Sequence, residues 1–346
     1  MNSLRKACLT ALGATALTVA APAQAEIIAE DILQGVTISG LIEVNAWQTE
    51  DYAGVDSSDL TLATVELAID AQVHKWVSGH LVLLFEEDDT EDLTVDVGYI
   101  RVGNLDHAPY YLDAGRMYLF GGYETNMISD PLTLEIGETQ VSALKVGFDV
   151  AGAYGSLYAY NGDTQKNEDD KIENFGANLG YAYENNGLSL DVGIDYTSNL
   201  LDSGLVMDNI ADAKAVDDYV GAMIAHATLN IGGFNFIAEY LTALDPIKEI
   251  TFNGTGAEPT ALNVEAAYTA PLLAGKDVTF AVGYQTTEEA LGLGLAESRI
   301  LVGVGVGIFD NTSLKFEWKQ DTDYETGDGG TGEDANTFTV QLAVEF

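Results

Sequence analysis

Along most of the chain, apolar and polar side chains alternate at every second position. The stretch "LSLDVGIDY" puts Leu188, Leu190, Val192, Ile194 and Tyr196 on one face and Ser189, Asp191, Gly193 and Asp195 on the other. That is the period of a β-strand with one apolar and one wet side. It returns in "FGANLGYAY", "VTFAVGY" and "LKFEW", and in the closing "TFTVQLAVEF", where Phe338, Val340, Leu342, Val344 and Phe346 alternate to the last residue. About sixteen such runs occur, over 36–47, 60–74, 76–86, 92–103, 109–120, 140–151, 153–161, 172–183, 188–198, 219–230, 234–242, 261–269, 276–286, 298–309, 312–320 and 336–346.

The connections alternate too. Short joints such as "HK", "AG", "ENNG", "NIGG" and "FDN" take turns with long segments, among them 121–139, 198–218 and 320–334. Short turns on one side and long loops on the other predict an all-β fold, a transmembrane antiparallel β-barrel of about 16 strands, porin-like and with no plug domain. A secreted β-sandwich or β-helix would also supply many strands. The polar face here, however, carries Glu43, Glu66, Asp70, Asp191, Asp195, Glu265 and Glu317, which a water-filled lumen accommodates and a packed core does not. Closing the sheet requires the last strand to pair with the first. Residues 337–346 are therefore expected beside 36–47, with Phe346 at the periplasmic rim as the terminal aromatic that barrel-assembly machinery reads.

Residues 1–25, "MNSLRKACLTALGATALTVAAPAQA", join Arg5 and Lys6 to a short apolar run and an Ala-Gln-Ala ending, the layout of a cleaved signal peptide. The expected order is then a short periplasmic leader over 26–35 and the barrel over 36–346. Cys8, the single cysteine, falls in the cleaved part, so a disulfide framework, a thiol nucleophile and a Cys-ligated metal are excluded. No later segment offers the roughly 20 apolar residues of a spanning helix. A barrel of this size encloses an aqueous channel, and a leader of this length leaves no room for a plug.

The segment from Tyr110 to Phe148 carries a strand ending in Gly115-Arg116, an "FGG" corner, "ETNMISDPLTLEIGET", and a Ser142-Ala143 entry to the next strand. In these features it resembles the LbtU family of siderophore porins, outer-membrane barrels similar to the legiobactin receptor. The resemblance implies uptake of a ferric siderophore without the energy coupling of plugged receptors. Some members carry a longer, helix-prone segment before the barrel, and none is expected here.

By length alone, loop 121–139 is expected to be functional and, as the third long loop of a porin-like barrel, to fold inward and narrow the pore. An outer flap is the other reading. Tyr123, Glu124, Asp130, Glu135 and Glu138 would supply the constriction from the loop; Lys145, Arg299, Lys315 and Lys319 would face it from the wall. Arg116 is counted with them, although neither it nor Arg101 is easily assigned a face.

A net charge of −41 favours cations over anions in a channel and opposes nucleic acid. It also stands against an anionic ferric chelate, and adaptation to salty water accounts for it equally well. The alternative function is therefore a non-specific, cation-preferring diffusion porin. A barrel hydrolase is the remote one: His74, His80, His107 and His226 lie in turns or singly on strands without a nucleophile motif, so no catalytic residue or cofactor is expected. Of the acidic loops 86–92, 167–171 and 321–334, the last starts like a calcium loop. Gly327 lies one position late and Gly332 stands where the closing Glu belongs, so no metal is expected. The partners expected are outer-membrane lipid and lipopolysaccharide, the barrel-assembly machinery, a ferric siderophore or small hydrophilic solutes, and a homo-oligomer, with monomer and trimer both open.

Overall fold

The computed structural model describes residues 35–87, 92–120, 124–166, 171–273 and 275–346. The expected signal peptide and nearly all of the leader lie outside the described residues, as does most of the acidic run 167–171. The strands are β1 (Val36–Glu50), β2 (Asp56–His74), β3 (Val77–Phe85), β4 (Thr94–Gly103), β5 (Tyr110–Phe120), β6 (Thr139–Val150), β7 (Ala153–Tyr160), β8 (Asn174–Asn185) and β9 (Leu188–Thr197). They continue as β10 (Ala222–Ile231), β11 (Phe234–Ala243), β12 (Ile247–Phe252), β13 (Thr255–Ala257), β14 (Thr260–Leu273), β15 (Lys276–Glu288), β16 (Ser298–Phe309), β17 (Thr312–Thr322) and β18 (Asp334–Glu345). Sixteen of them close into one antiparallel barrel; β12 and β13 form a separate hairpin in the loop between β11 and β14. Each of the sixteen barrel strands overlaps one of the sixteen runs read from the alternation.

The seam is the expected one, β1 against β18, with Leu41 opposite Glu345 and Glu50 opposite Asn336. Gly40 and Phe346 exchange both backbone hydrogen bonds, at 2.8 and 3.0 Å, and the Phe346 ring covers the space where a side chain at position 40 would stand. At the short-turn end the geometry is set by local chemistry. Between β8 and β9, Asn186 (φ 48°) and Gly187 (φ 80°) both take the left-handed conformation, as a two-residue hairpin turn of matching twist requires.

Pairing sorts the side chains. On β9, Val192 and Ile194 belong to the outer apolar set and are 37% and 43% exposed, whereas Asp191 and Asp195 share the inner face with Tyr154 and His226. The long-loop end is not open all round. Beyond β9–β16, segments 198–221, 247–257 and 290–296 fold over the mouth with a core of Leu200, Leu201, Val206, Ile210, Ile247, Ile250 and Leu293, continuous with Ile224 and Leu241 of the inner wall. A short helix, α2 (Gly204–Asp208), belongs to this cap. Asp202 ties it down: its carboxylate accepts from the backbone N–H of Asp163 and Thr164, the Thr164 hydroxyl and the Asn199 amide, at 2.7 to 2.8 Å. Burial pushes this carboxyl upward from its ordinary range despite those donors.

Because Val192 faces outward at mid-strand, Val192→Arg should cost about 2–4 kcal/mol of barrel stability. Asn178→Arg, on the inner face opposite Asp195, should cost under about 1 kcal/mol. Urea titration of vesicle-folded protein checks the difference. Asp202→Ala, which strands several buried donors, should loosen the cap by about 3 kcal/mol, read as faster hydrogen exchange over 199–204 with the barrel amides unchanged.

Candidate functional site

The segment between β5 and β6 crosses the lumen and lies against the far wall. The backbone N–H of Glu124 donates to Glu239 on β11 at 3.2 Å. Next, the Thr125 hydroxyl and the Asn126 N–H both donate to Glu265 on β14 at 2.6 Å. The N–H of Ile128 and the hydroxyl of Ser129 then reach Glu317 on β17, each at 2.5 Å. After Asp130 the chain reverses into a short helix, α1 (Leu132–Gly137), which runs back across β15 and β11. The first N–H groups of a helix lack intrahelical acceptors; here Leu132 N–H finds Gln285 at 3.1 Å and the Thr133 hydroxyl finds Glu239 at 2.7 Å. Leu132 and Ile136 are fully buried in the cap, and Ser203 of the cap donates to the Ile136 carbonyl at 2.6 Å. The loop is thus pinned below by wall carboxylates and above by an apolar core.

One cation closes the arrangement. Arg299 on β16 donates to Asp321 on β17 at 2.6 Å, to the Asp130 carbonyl at 3.1 Å and to Glu135 at 3.2 Å, and Lys319 stands 3.5 Å from Asp321. Two spaces flank the loop. The upper, about 490 Å³, is lined by Glu86, Asp130, Glu135, Glu138, Arg299 and Lys319. The lower, about 420 Å³, lies under Thr125–Ile128 and is lined by Glu43, Asp277, Lys315, Glu317 and Glu345 along a wall cleared by Gly303, Gly305 and Gly307. Both volumes fall in the range of small-ligand pockets.

The inward fold expected of loop 121–139 is what the hydrogen bonds show, and the outer-flap reading fails. Asp130, Glu135 and Glu138 gather at the upper space, whereas Glu124 lines neither space and accepts from Thr228 on β10 at 3.0 Å. Tyr123 lies outside the described residues. Lys315, Lys319 and Arg299 face inward beside the loop. Lys145 also faces inward, but on β6, opposite Asp113 and Tyr158 and away from that group.

Arg116 is a correction. On β5 it pairs with Gly98 and Ser142, sharing the outer face with Leu112 and Ala114, and it is exposed; Gly115 and Met117 take the inner positions. Arg116 was counted with the constriction residues, and the parity of its strand overrules that. A second correction concerns the inner carboxylates, which were expected to sit in lumen water. Glu265 and Glu317 are each only 4% exposed, because the loop occupies the water's place and supplies the donors.

In segment 321–334, Asp321 is taken by Arg299. Asp323 accepts from the N–H and hydroxyl of Thr331 at 2.6 and 2.7 Å, so both lead carboxylates serve the protein's own contacts. Among the described residues no group of three or more His, Cys, Asp or Glu side chains is placed to hold a metal.

Two features escaped sequence reasoning. The cap is one: its apolar residues sit in loops without a period. The other is a set of aromatic rings on the inner wall lying over glycines of the neighbouring strand, Tyr111 over Gly147, Tyr158 over Gly176, Tyr154 over Gly180 and His226 over Gly193, each filling the room a Cβ would need.

No family model matches the chain. It is 31% identical over 309 residues to a UPF0422 protein of Coxiella burnetii, covering 86% of this chain and 66% of that protein. To the UPF0422 protein lpg2959 of Legionella pneumophila it is 25% identical over 362 aligned positions, 90% of this chain and 66% of the relative. It therefore spans 66% of the length of these relatives. Among solved structures it is similar to the outer-membrane channel DcaP of Acinetobacter baumannii, with TM-score 0.60, 14% identity, and coverage of 90% of this chain and 97% of that one. It is likewise similar to an anion-selective porin from Comamonas acidovorans, with TM-score 0.59, 11% identity, and 90% and 99% coverage. At those identities the likeness is one of fold. The homologues of this chain are thus UPF0422 proteins, and its barrel is built like those of the outer-membrane porins.

Proposed function

We propose that the chain is an outer-membrane channel, termini periplasmic, that admits a ferric siderophore by diffusion past the fixed loop rather than by moving a plug. What carries the channel reading is the loop hydrogen-bonded across the lumen, with an open space on each side lined by both acids and bases. The cargo is supported by the resemblance over Tyr110 to Phe148, because that stretch is the strand–loop–strand unit which crosses the lumen. A chelate with carboxylate and apolar parts finds cations at Arg299, Lys319 and Lys315, and an apolar contact at Leu134.

A ferric siderophore should then block single-channel current saturably. Deleting Asn126 to Glu135 should raise conductance and abolish that block while the barrel stays assembled. Unchanged conductance and block would detach the loop from selection.

A second reading, the non-specific cation-preferring porin, is favoured by the excess of acids around the upper space, where Glu86, Asp130, Glu135 and Glu138 face Arg299 and Lys319. Under it, the chelate passes without saturable block. Reversal potentials in a salt gradient should show cation preference at low salt that fades as salt shortens the field's reach. Anion preference at low salt would mean that Lys145, Lys315 and Lys319 outweigh the net charge.

A further inference from the structure

The inner wall of β7–β10 carries a side-chain cluster that the anchorage of the loop does not use. We infer that Tyr154, Asp191 and His226 form a metal site on this wall, and that the ion it takes is ferric iron.

Tyr154, Gly180, Gly193 and His226 are consecutive partners in register on β7, β8, β9 and β10. Three strand spacings put β7 and β10 about 14 Å apart. With no side chain on the two positions between, the phenol and the imidazole lie along the wall and meet tip to tip. Asp191, two residues before Gly193 on the same face of β9, joins them there. The Tyr154 hydroxyl donates to Asp191 Oδ1 at 2.7 Å, and His226 Nε2 stands 3.2 Å from that same oxygen and 3.2 Å from Tyr154 Oη.

Hydrogen bonding alone accounts poorly for this triangle. Its edges put the hydroxyl and the ring nitrogen about 65° apart as seen from Oδ1, well inside the separation of a carboxylate oxygen's two lone-pair directions. One cation serves all three atoms at once. The circle through them has a radius of about 1.8 Å, so an ion about 1 Å off their plane is about 2.0–2.1 Å from each, the bond length of imidazole nitrogen and carboxylate oxygen to a small transition-metal ion. The Asp191 side chain is 39% exposed and that of His226 11%. An ion therefore enters on the carboxylate side, from lumen water, and its remaining positions face the bore.

The donors choose the ion. Imidazole with carboxylate suits several transition metals, but a phenol becomes a ligand only by giving up its proton, which a hard trivalent cation draws off more readily than a divalent one. On binding, the O–H bond of Tyr154 breaks, its proton passes to lumen water, and the phenolate oxygen bonds to iron. Asp191 and neutral His226 bind through lone pairs, and the iron keeps its oxidation state. The surrounding charge assists. Glu124 of the loop accepts from Thr228 at 3.0 Å, and Thr228 is the residue opposite Asp191, so a further carboxylate stands beside the triangle. The assignment holds whichever solute the channel carries.

The test is direct binding to the full barrel in mild detergent, with ferric nitrilotriacetate as the probe. The wild type should retain equimolar iron through desalting and show a visible phenolate-to-iron charge-transfer band. Tyr154→Phe keeps a ring over Gly180 and should abolish the band while remaining a folded barrel by gel mobility. Asp191→Asn and His226→Gln should each weaken iron binding about tenfold or more. Tyr158→Phe, whose hydroxyl bonds the Tyr196 carbonyl outside the triangle, should leave the band unchanged, and an excess of zinc should not displace the iron. No retained iron, iron retained without the band, or a band that survives Tyr154→Phe overturns the site; iron displaced by zinc overturns the choice of ion.

Discussion

Three glutamates on the inner wall, Glu239, Glu265 and Glu317, accept hydrogen bonds from a loop that starts on the other side of the barrel. Burying a carboxylate is tolerable only where donors replace its water, and a backbone stripped of regular structure must find acceptors for its N–H groups. Each solves the other's problem. Bonds to a charged acceptor are the stronger kind, and several act on a stretch of about ten residues. The six-residue helix α1 is too short to be stable alone; wall and cap hold it. Loop, wall and cap are therefore joined into one hydrogen-bonded and packed unit across the bore.

This arrangement separates the charge of the chain from the field in the pore. Glu265 lies behind the loop's donors, Glu317 is shared between those donors and the lower space, and Asp321 is matched by Arg299. What a solute meets is a smaller set: Glu135, Glu138 and Glu86 with Lys319 above the loop, Glu43, Asp277 and Glu345 with Lys315 below it. The basic and acidic groups were foreseen as a ladder facing an acidic loop. At Arg299 the two sides instead touch, so that residue acts as a fastener as much as a lining group.

The barrel was legible because a strand with one face to lipid has a period of two that survives any ordering of the strands. The closing pair β1–β18 follows from the geometry of a sheet without edges. The loop's inward course was legible only as the habit of such loops. Which wall it meets depends on acceptors brought together by register across five strands, and nothing in the spacing of Glu239, Glu265 and Glu317 announces a common partner. Leu200, Val206, Ile247 and Leu293 form a core whose members are scattered over three loops, so no local period betrays it. Arg116 was counted with the pore-lining groups without a face assigned to it, and its parity with Leu112 and Ala114 puts it outside.

The rings lying over glycines on the inner wall make smoothness a property of pairs. Tyr158 can lie flat because position 176 has no side chain, and Gly176 leaves no hole because Tyr158 covers it. Either partner changed alone gives a clash or a pit; changed together, they can trade places across the strand boundary. Such positions should drift in concert over evolutionary time, so that the shape of the bore is inherited even where the residues that make it are not.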